Sequence, residues 1–431
     1  MTTVVWPHRA KTVLDMTWRA SAERARDEGG AAGGAEAVRT LRVVMAGGGT
    51  GGHLYPGLAV ASALEAQAEV LGVRLEILWA ATPRAVDRRL LSGFGERYIQ
   101  QPVQPLTKSV KKLWGFWTGW RESCALWAQR MRRGEVDCVV ALGGYAAGPA
   151  AYMAAKARKT GRKIPVVLLN PDALPGLANR FLLKRADVVV TQWPLGEKHQ
   201  AAVRSGGGVV KPLGCPIRAE LVGRTRAEGA RKLNIDPERR TLVVTGASLG
   251  AKTINDAVLK MLEDPAAREI FERRDGSGWQ ILHLAGLDQA ADVRLTYAQW
   301  PALRVQVIDY CDDMASVWAV ADLAIARAGA STCAELTTCG VPAVLLPYPF
   351  HKDMHQRANA RELAAAGAAV IVEDAKEAGA NAAAVKRALD TLLYEDTTRE
   401  HMAAAARAAG KPAAAEEIAG EILALVRETT R

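Results

Sequence analysis

A chain of 431 residues with 49% hydrophobic residues is long enough to build two cores. Its formal charge of +10 points to an anionic partner, and charge alone does not choose among nucleic acid, anionic lipid and a phosphorylated substrate. No uninterrupted apolar run reaches about 18 residues, which argues against a transmembrane helix. Met1 to Ala10 lacks the apolar core of a secretory signal, and the cysteines at 124, 138, 215, 311, 333 and 339 show no metal-binding spacing, so a cytoplasmic protein with reduced thiols is expected.

Residues 1–40 are rich in Ala, Gly, Arg and Glu, with GGAAGGAEA at 29–37, and read as a flexible extension. A short helix over Thr12–Arg26 would place Leu14, Trp18 and Ala22 on one face. From Leu41 the pattern changes. Apolar runs at Leu41–Ala46, Leu75–Ala80, Cys138–Leu142, Pro165–Leu169 and Asp187–Thr191 alternate with helical stretches, the signature of βαβ units and a parallel sheet. Residues 192–218, with SGGG at 205–208, read as loop-rich and carry the domain boundary. A second alternation follows, with strands at Thr241–Thr245, Trp279–Ala285, Val305–Ile308, Leu323–Ala326, Ala343–Pro347 and Ala368–Val372. The tail from Pro412 reads as an amphipathic helix through Ile418, Ile422, Leu423 and Val426, expected to cross back to the first lobe. The expected division is an extension at 1–40, a first lobe at 41–213 completed by a helix at 412–431, and a second lobe at 214–411.

Each lobe opens on a strand and a glycine turn. In LRVVMAGGGTGGHLYPGLAVA (41–61), glycines let a ligand approach the backbone while the N–H groups of the following helix face it. Gly47-x-Gly49-x-x-Gly52 fits a dinucleotide fingerprint, but the second strand ends Trp79-Ala80-Ala81-Thr82 with no acid for a ribose, which argues against nicotinamide or flavin. His53 is either a capping or core residue or, beside the turn, an acid or base. The turn Gly246–Gly250, with Ser248, is a second phosphate candidate or a plain strand–helix connection.

Three further stretches carry polar or amphipathic chemistry. RAGASTCAE (327–335) is a strand end, a small-residue turn and a helix start. Its Glu335 either complements the helix dipole or offers two oxygens to two ribose hydroxyls. In PYPFHKDMHQRANA (347–360), His355, Gln356 and Asn359 open a helix and suit sugar hydroxyls, or else form a solvated face. LTKSVKKLWGFWTGWRESCALWAQRMRR (106–133) interleaves Trp114, Phe116, Trp117, Trp120 and Trp127 with Lys108, Lys111, Lys112, Arg121 and Arg130. That mixture suits a membrane interface, or an ordinary core-facing helix with a basic solvated side.

These motifs, with LGGYAAGPA (142–150), PGLANR (175–180), GCPIR (214–218), GASLGAKTIND (246–256) and DYCDDMASVWAVADLAIARAGASTCAEL (309–336), occur in the order found in the MurG glycosyltransferases, which the chain resembles from about residue 41 to 425. The resemblance implies a GT-B fold: an α/β protein of two Rossmann-like, doubly wound lobes with the site in the cleft between them. It implies inverting transfer of N-acetylglucosamine from UDP-GlcNAc to undecaprenyl-pyrophosphoryl-MurNAc-pentapeptide, turning lipid I into lipid II for peptidoglycan, on the cytoplasmic face of the plasma membrane. A related transferase with another lipid-linked acceptor, or a non-catalytic UDP-GlcNAc-binding relative, shares the same motifs.

By that resemblance, Arg218 and Ser248 meet the donor pyrophosphate, Glu335 the ribose, Cys311 the uracil edge, and Tyr310 caps the nucleotide. Ala330, Ser331 and Thr332 frame the phosphates, and His355, Gln356 and Asn359 face the sugar. Gly49, Thr50, Gly51, Gly52, His53, Gly144, Tyr145 and Asp172 serve the acceptor. His53 is the expected base, with Asp353 the alternative. Trp114, Phe116, Trp117, Trp120, Lys111 and Lys112 face an anionic membrane surface. No cofactor, no protein-bound metal and no nucleic-acid partner is expected; the chain has no Asp-x-Asp triplet. The chain departs from the family at Leu169-Asn170-Pro171-Asp172, where His-Glu-Gln-Asn is usual, at Leu249, where Gln is typical, and in the HLAG stretch that starts at His283. Asp172 thus puts an acid where an amide is expected, on the acceptor side of the cleft.

Overall fold

The computed structural model describes residues 40–106, 110–246, 250–273, 278–350 and 353–430. The extension before residue 40, its Thr12–Arg26 helix and the Ser248 turn lie outside the described residues, as do the side chains of Lys111 and Lys112.

The apolar runs form parallel strands because both of their faces are covered. Cys138–Gly143 is buried at every position. The first lobe contains β1 (Thr40–Gly47), β2 (Arg74–Ala81), β3 (Tyr98–Gln100), β4 (Cys138–Gly143), β5 (Val166–Asn170), β6 (Val188–Thr191) and β7 (Val209–Lys211), in the sheet order β3-β2-β1-β4-β5-β6-β7. The second contains β8 (Arg240–Thr245), β9 (Trp279–Leu284), β10 (Val305–Ile308), β11 (Leu323–Ala326), β12 (Ala343–Leu345) and β13 (Ala369–Ile371), ordered β10-β9-β8-β11-β12-β13. These are the two doubly wound lobes of a GT-B fold.

Two strands escape the sequence pattern. β3 and β7 are three-residue edges of the first sheet, too short to show periodicity. The stretch at 192–218 is correspondingly not loop alone: it holds the helix Glu197–Ser205 as well as β7.

Strand order sets where ligands can sit. β1 lies between β2 and β4, and β8 between β9 and β11, so each sheet reverses winding beside its first strand. The crevice outside the carboxyl ends of such strands is where open α/β sheets bind ligands. In the first lobe it opens at Gly47 and Gly143, and in the second at Thr245 and Ala326.

The helix Ala414–Thr430 buries Ile418, Ala419, Ile422, Leu423 and Val426 in the first-lobe core, against the helix Gly51–Val70. At ~1.5–3 kcal/mol for each large apolar side chain, that packing is a substantial tie between the chain's end and its first lobe. Gln67 Nε2 adds a 2.8 Å hydrogen bond to the Glu416 carbonyl.

Candidate active site

A cavity of about 1100 Å³ lies between the lobes. It takes Thr50, Gly51, Gly52, His53, Gly144, Tyr145 and Asp172 from one side and Arg218, Tyr310, Cys311, Ala330, Ser331, Thr332, Glu335, Asp353, His355 and Gln356 from the other. The structure thus gathers most of the residues singled out above around one space.

His53 sits in the first turn of the helix Gly51–Val70. Its Nδ1 lies 3.3 Å from the Gly48 carbonyl and 3.2 Å from Thr50 Oγ1. A carbonyl only accepts, so Nδ1 carries the proton and Nε2 is left with its lone pair. Burial lowers the pKa of His53, against the Gly48 hydrogen bond and the Asp172 and Asp87 charges. The ring is therefore neutral at neutral pH, as a base must be. Gly143 and Gly144, both with positive φ, form the floor beneath it. A Cβ at Gly144 would lie 3.0 Å from the ring, so these glycines leave the imidazole its place.

Behind the glycine turn stands a residue that the sequence pattern does not single out. Asp87 is fully buried, and its carboxylate accepts from Gly49 N at 2.8 and 3.0 Å, Thr82 N at 2.9 Å and Thr82 Oγ1 at 2.6 Å. The Gly49 amide is consequently committed inward and is not offered to a ligand, a correction to the acceptor set. Thr50, Gly51 and Gly52 remain on the cavity wall. The Arg84 guanidinium lies over the Tyr145 ring and bonds the Gly49 carbonyl at 3.2 Å.

On the second lobe, the helix Ala330–Cys339 starts at the cavity with Gly329, Ala330, Ser331 and Thr332. Its first N–H groups lack helical partners, and its dipole favours an anion there. The Ser331 hydroxyl is buried with no hydrogen-bond partner among the described residues. One turn on, Glu335 Oε2 accepts from Trp318 Nε1 at 2.7 Å. Burial raises the Glu335 pKa, against the Trp318 hydrogen bond and the Arg218 charge. Arg218 Nη1 donates to the Asp312 carbonyl at 2.9 Å, and its guanidinium stacks over Tyr55.

Two sets of contacts between the lobes lie beside the cavity. In one, Tyr55 and Tyr310 share a 3.0 Å hydroxyl–hydroxyl hydrogen bond, and Arg89 lies 4.3 Å from the Tyr310 ring centre. In the other, Asn359 Oδ1 accepts from Ala173 N at 2.8 Å while its Nδ2 donates to Asp172 Oδ1 at 2.9 Å and to the Ala328 carbonyl at 3.0 Å. Asn359 is fully buried with both ends of its amide taken, so it fastens the lobes and does not face the cavity. This corrects its expected contact with a sugar. His355 Nδ1 pairs with the Leu174 carbonyl at 2.7 Å, and its Nε2 lies 2.8 Å from Asp353 Oδ2. Asp353 is thereby engaged with His355. Gln356 Oε1 accepts from Tyr348 N at 2.9 Å.

The remaining wall is aromatic. Trp120 packs on Phe116, Tyr152 and Phe181, and all of these line the cavity with Trp117. Trp114 and Trp117 are 74% and 55% exposed. Trp127 differs. It is fully buried and its Nε1 donates to Gln101 at 2.8 Å, so it belongs to the core and not to an interface. His283 is likewise internal: it bridges Tyr297 at 2.9 Å and Asn255 at 3.0 Å, and burial lowers its pKa to about 3. No described helix is long and apolar enough to cross a membrane, and among the described residues no group of His, Cys, Asp and Glu converges as metal ligands would.

Comparison with known proteins agrees with this fold. The glycosyltransferase family 28 N-terminal domain matches residues 43–191, and the C-terminal domain of the same family matches residues 241–418. The UDP-N-acetylglucosamine--N-acetylmuramyl-(pentapeptide) pyrophosphoryl-undecaprenol N-acetylglucosamine transferase of Desulfitobacterium hafniense is 34% identical over 383 residues, 88% of this chain and 97% of the relative. The protein of the same name from Acidothermus cellulolyticus is 34% identical over 386 residues, 88% of this chain and 96% of the relative. Among solved structures, Acinetobacter baumannii MurG superposes with a TM-score of 0.64 at 27% identity, covering 90% of this chain and 99% of that one. With both lobes matched over nearly the full length of these relatives, the chain belongs to the MurG family of glycosyltransferases.

Proposed function

We propose that the protein transfers N-acetylglucosamine from UDP-GlcNAc to the MurNAc-pentapeptide of an undecaprenyl-pyrophosphate-linked acceptor, with inversion, in peptidoglycan synthesis. The observation that carries this reading is the pairing, in one cavity, of a neutral His53 on the first lobe with Glu335 and a helix N-terminus on the second. The donor lies along the second lobe. Its ribose hydroxyls bond Glu335, and its phosphates meet the amides of Ala330, Ser331 and Thr332 and the Arg218 guanidinium. The acceptor hydroxyl attacks the anomeric carbon, its proton passes to His53 Nε2, and the bond to the UDP oxygen breaks. The helix dipole and Arg218 stabilise the charge that grows on the leaving diphosphate. No metal or cofactor takes part in this reading.

The first lobe's glycine turn and Tyr145 receive the acceptor pyrophosphate, and the aromatic wall takes the first isoprenoid units. Trp114 and Trp117 rest in the headgroup layer of an anionic membrane, which keeps the enzyme peripheral on the cytoplasmic face. The domain division follows the two sheets, with the last helix completing the first lobe.

The test is a transfer assay with UDP-GlcNAc and a lipid I analogue, with UDP-Glc and UDP-GalNAc as competing donors. The expected result is preferential transfer of GlcNAc with a β-linked product. Asp172, whose carboxylate stands on the cavity wall, favours a second reading in which the acceptor differs from lipid I. Turnover of another polyprenyl-pyrophosphate sugar in preference to lipid I would select it. Donor binding with no turnover on either acceptor overturns both.

A further inference from the structure

The second lobe has another cleft, at the opposite end of its sheet from the substrate cavity. Its volume is about 620 Å³, and it lies among the strand starts at Arg240, Asp322 and Pro342 and the helix Asp396–Ala409. The substrate cavity opens at the carboxyl ends of the same strands, so the two spaces lie at opposite ends of the sheet.

The cleft is lined by Arg224, Arg240, Arg399 and Arg407 and by the acids Asp322, Asp396 and Glu400, the last beside Arg399. The saturation of the arginines is unequal. Arg399 and Arg240 share Asp396, and Arg399 Nη1 also reaches the Leu392 carbonyl. Asp322 is spent on Arg226 at 2.9 Å and on Thr241 N at 2.7 Å. Arg224 lies 3.8 Å from Asp313, a long ion pair, with the Glu228 charge also nearby. Arg407 makes no ion pair among the described residues. It is nonetheless held in place: its side chain lies across Gly340, where a Cβ would fall 2.5 Å from Nη1 and 2.6 Å from Cγ. Gly340 has φ +69, so the left-handed turn that ends the helix Ala330–Cys339 also forms the bed of this arginine. Unneutralised guanidiniums in a pocket recognise phosphate oxygens by paired N–H donors.

The cleft also shares a wall with the substrate site. Trp318 lines both spaces, and its indole N–H is the donor that holds Glu335. We propose that this cleft is a second anion site, binding a small phosphorylated molecule through Arg224, Arg407 and the Thr338 hydroxyl, and that its occupancy reaches the nucleotide-sugar site through Trp318 and Glu335. It is independent of which acceptor the enzyme uses.

The experiment is calorimetric titration of the full chain with inorganic pyrophosphate while UDP saturates the substrate cavity. The expected result is a binding event, separate from any at the acceptor turn of the first lobe, that is weakened at least about tenfold in R224A/R407A and partially in R407Q. Melting curves for both variants check that they fold, and the single Gln substitution keeps the test meaningful where the double variant does not. No binding to the UDP-saturated protein, or unchanged affinity in a folded R407Q, overturns the site. For the coupling, the apparent KM for UDP-GlcNAc at a fixed pyrophosphate concentration should differ between wild type and R407Q, while the two agree without pyrophosphate. Equal KM values with pyrophosphate present overturn the coupling.

Discussion

The two walls of the substrate cavity are made of opposite materials. The first lobe offers area: Trp117, Trp120, Phe116, Tyr152 and Phe181, with the Arg185 guanidinium stacked 3.9 Å from the Phe181 ring centre. The second offers directed polar groups: the small residues 329–332 at a helix start, then Glu335 held by Trp318. A wall of aromatic surface recognises by apolar contact and tolerates sliding. A wall of backbone amides and one carboxylate recognises by donor and acceptor position, and a misplaced partner leaves buried groups unpaired. The difference suits the two substrates proposed above, a lipid-linked acceptor against the first wall and a nucleotide sugar against the second. On that proposal the reaction takes place at the seam, where His53 lines the cavity from the first lobe.

The sharpest way to break this picture is at the seam. His53→Ala should lower kcat by ~10²–10⁴-fold while leaving UDP binding by calorimetry unchanged. The pH profile gives a second reading of the same residue. Burial lowers the His53 pKa, so its protonated, inactive form accumulates only below the ordinary value of 6.5. Wild-type kcat/KM should therefore be flat through pH 7 and fall on the acid side below 6.5, and His53→Ala should lose that limb. Undiminished transfer by the variant would remove His53 from the mechanism and return attention to Asp353 or Asp172.

Asp87 tests how much of the first wall is built in advance. Asp87→Ala leaves two backbone amides and a hydroxyl without their acceptor. The expected cost is ~2–4 kcal/mol of stability, read as a lower denaturation midpoint. If the carboxylate also shapes the turn under His53, kcat should fall while the KM for UDP-GlcNAc holds. A loss of donor affinity instead would mean that the two walls are not separable.

Glu335→Ala is the matching change on the second wall. It should raise the KM for UDP-GlcNAc by ~10–100-fold with a smaller effect on kcat, as expected for a group that binds the ribose alike in ground and transition states. A 2′-deoxyribose donor should lose affinity against the wild type but not against the variant.

These contrasts were legible in the sequence to different depths. Buried parallel strands announce themselves as apolar runs, and the strands adjoining both crevices, β1, β4, β8 and β11, coincide with such runs. Edge strands do not, because three residues hold no period, and β3 and β7 are that short. Asp87 was hidden for a different reason. It lies in a seven-residue helix beside Arg88 and Arg89, where a charged residue reads as solvated, and only the tertiary fold turns it inward under Gly49. Asn359 shows the converse. Its helical spacing put it on one face with His355 and suggested a sugar contact, but spacing cannot say whether an amide meets a ligand or the other lobe, and both residues bond the first lobe. Trp120 and Trp127 are seven apart on one helix and share its inward face, which carries the first to the cavity and the second into the core.

That helix supplies the smallest expected effect. Trp114 and Trp117 are exposed, so replacing both with Ser removes little packing and should leave the melting temperature within about 1–2 °C of wild type. On a short-chain, water-soluble acceptor, turnover should also be unchanged, apart from whatever contact Trp117 makes where it lines the cavity. Binding to anionic vesicles should weaken, because two interfacial indoles are lost while the basic residues remain. Adding salt separates the two contributions: the wild type should retain an apolar, salt-resistant part of its vesicle affinity, and the double variant should release fully as the charges are screened. If the variant binds vesicles as the wild type does, these tryptophans belong to acceptor recognition alone, and the aromatic wall ends at the cavity mouth.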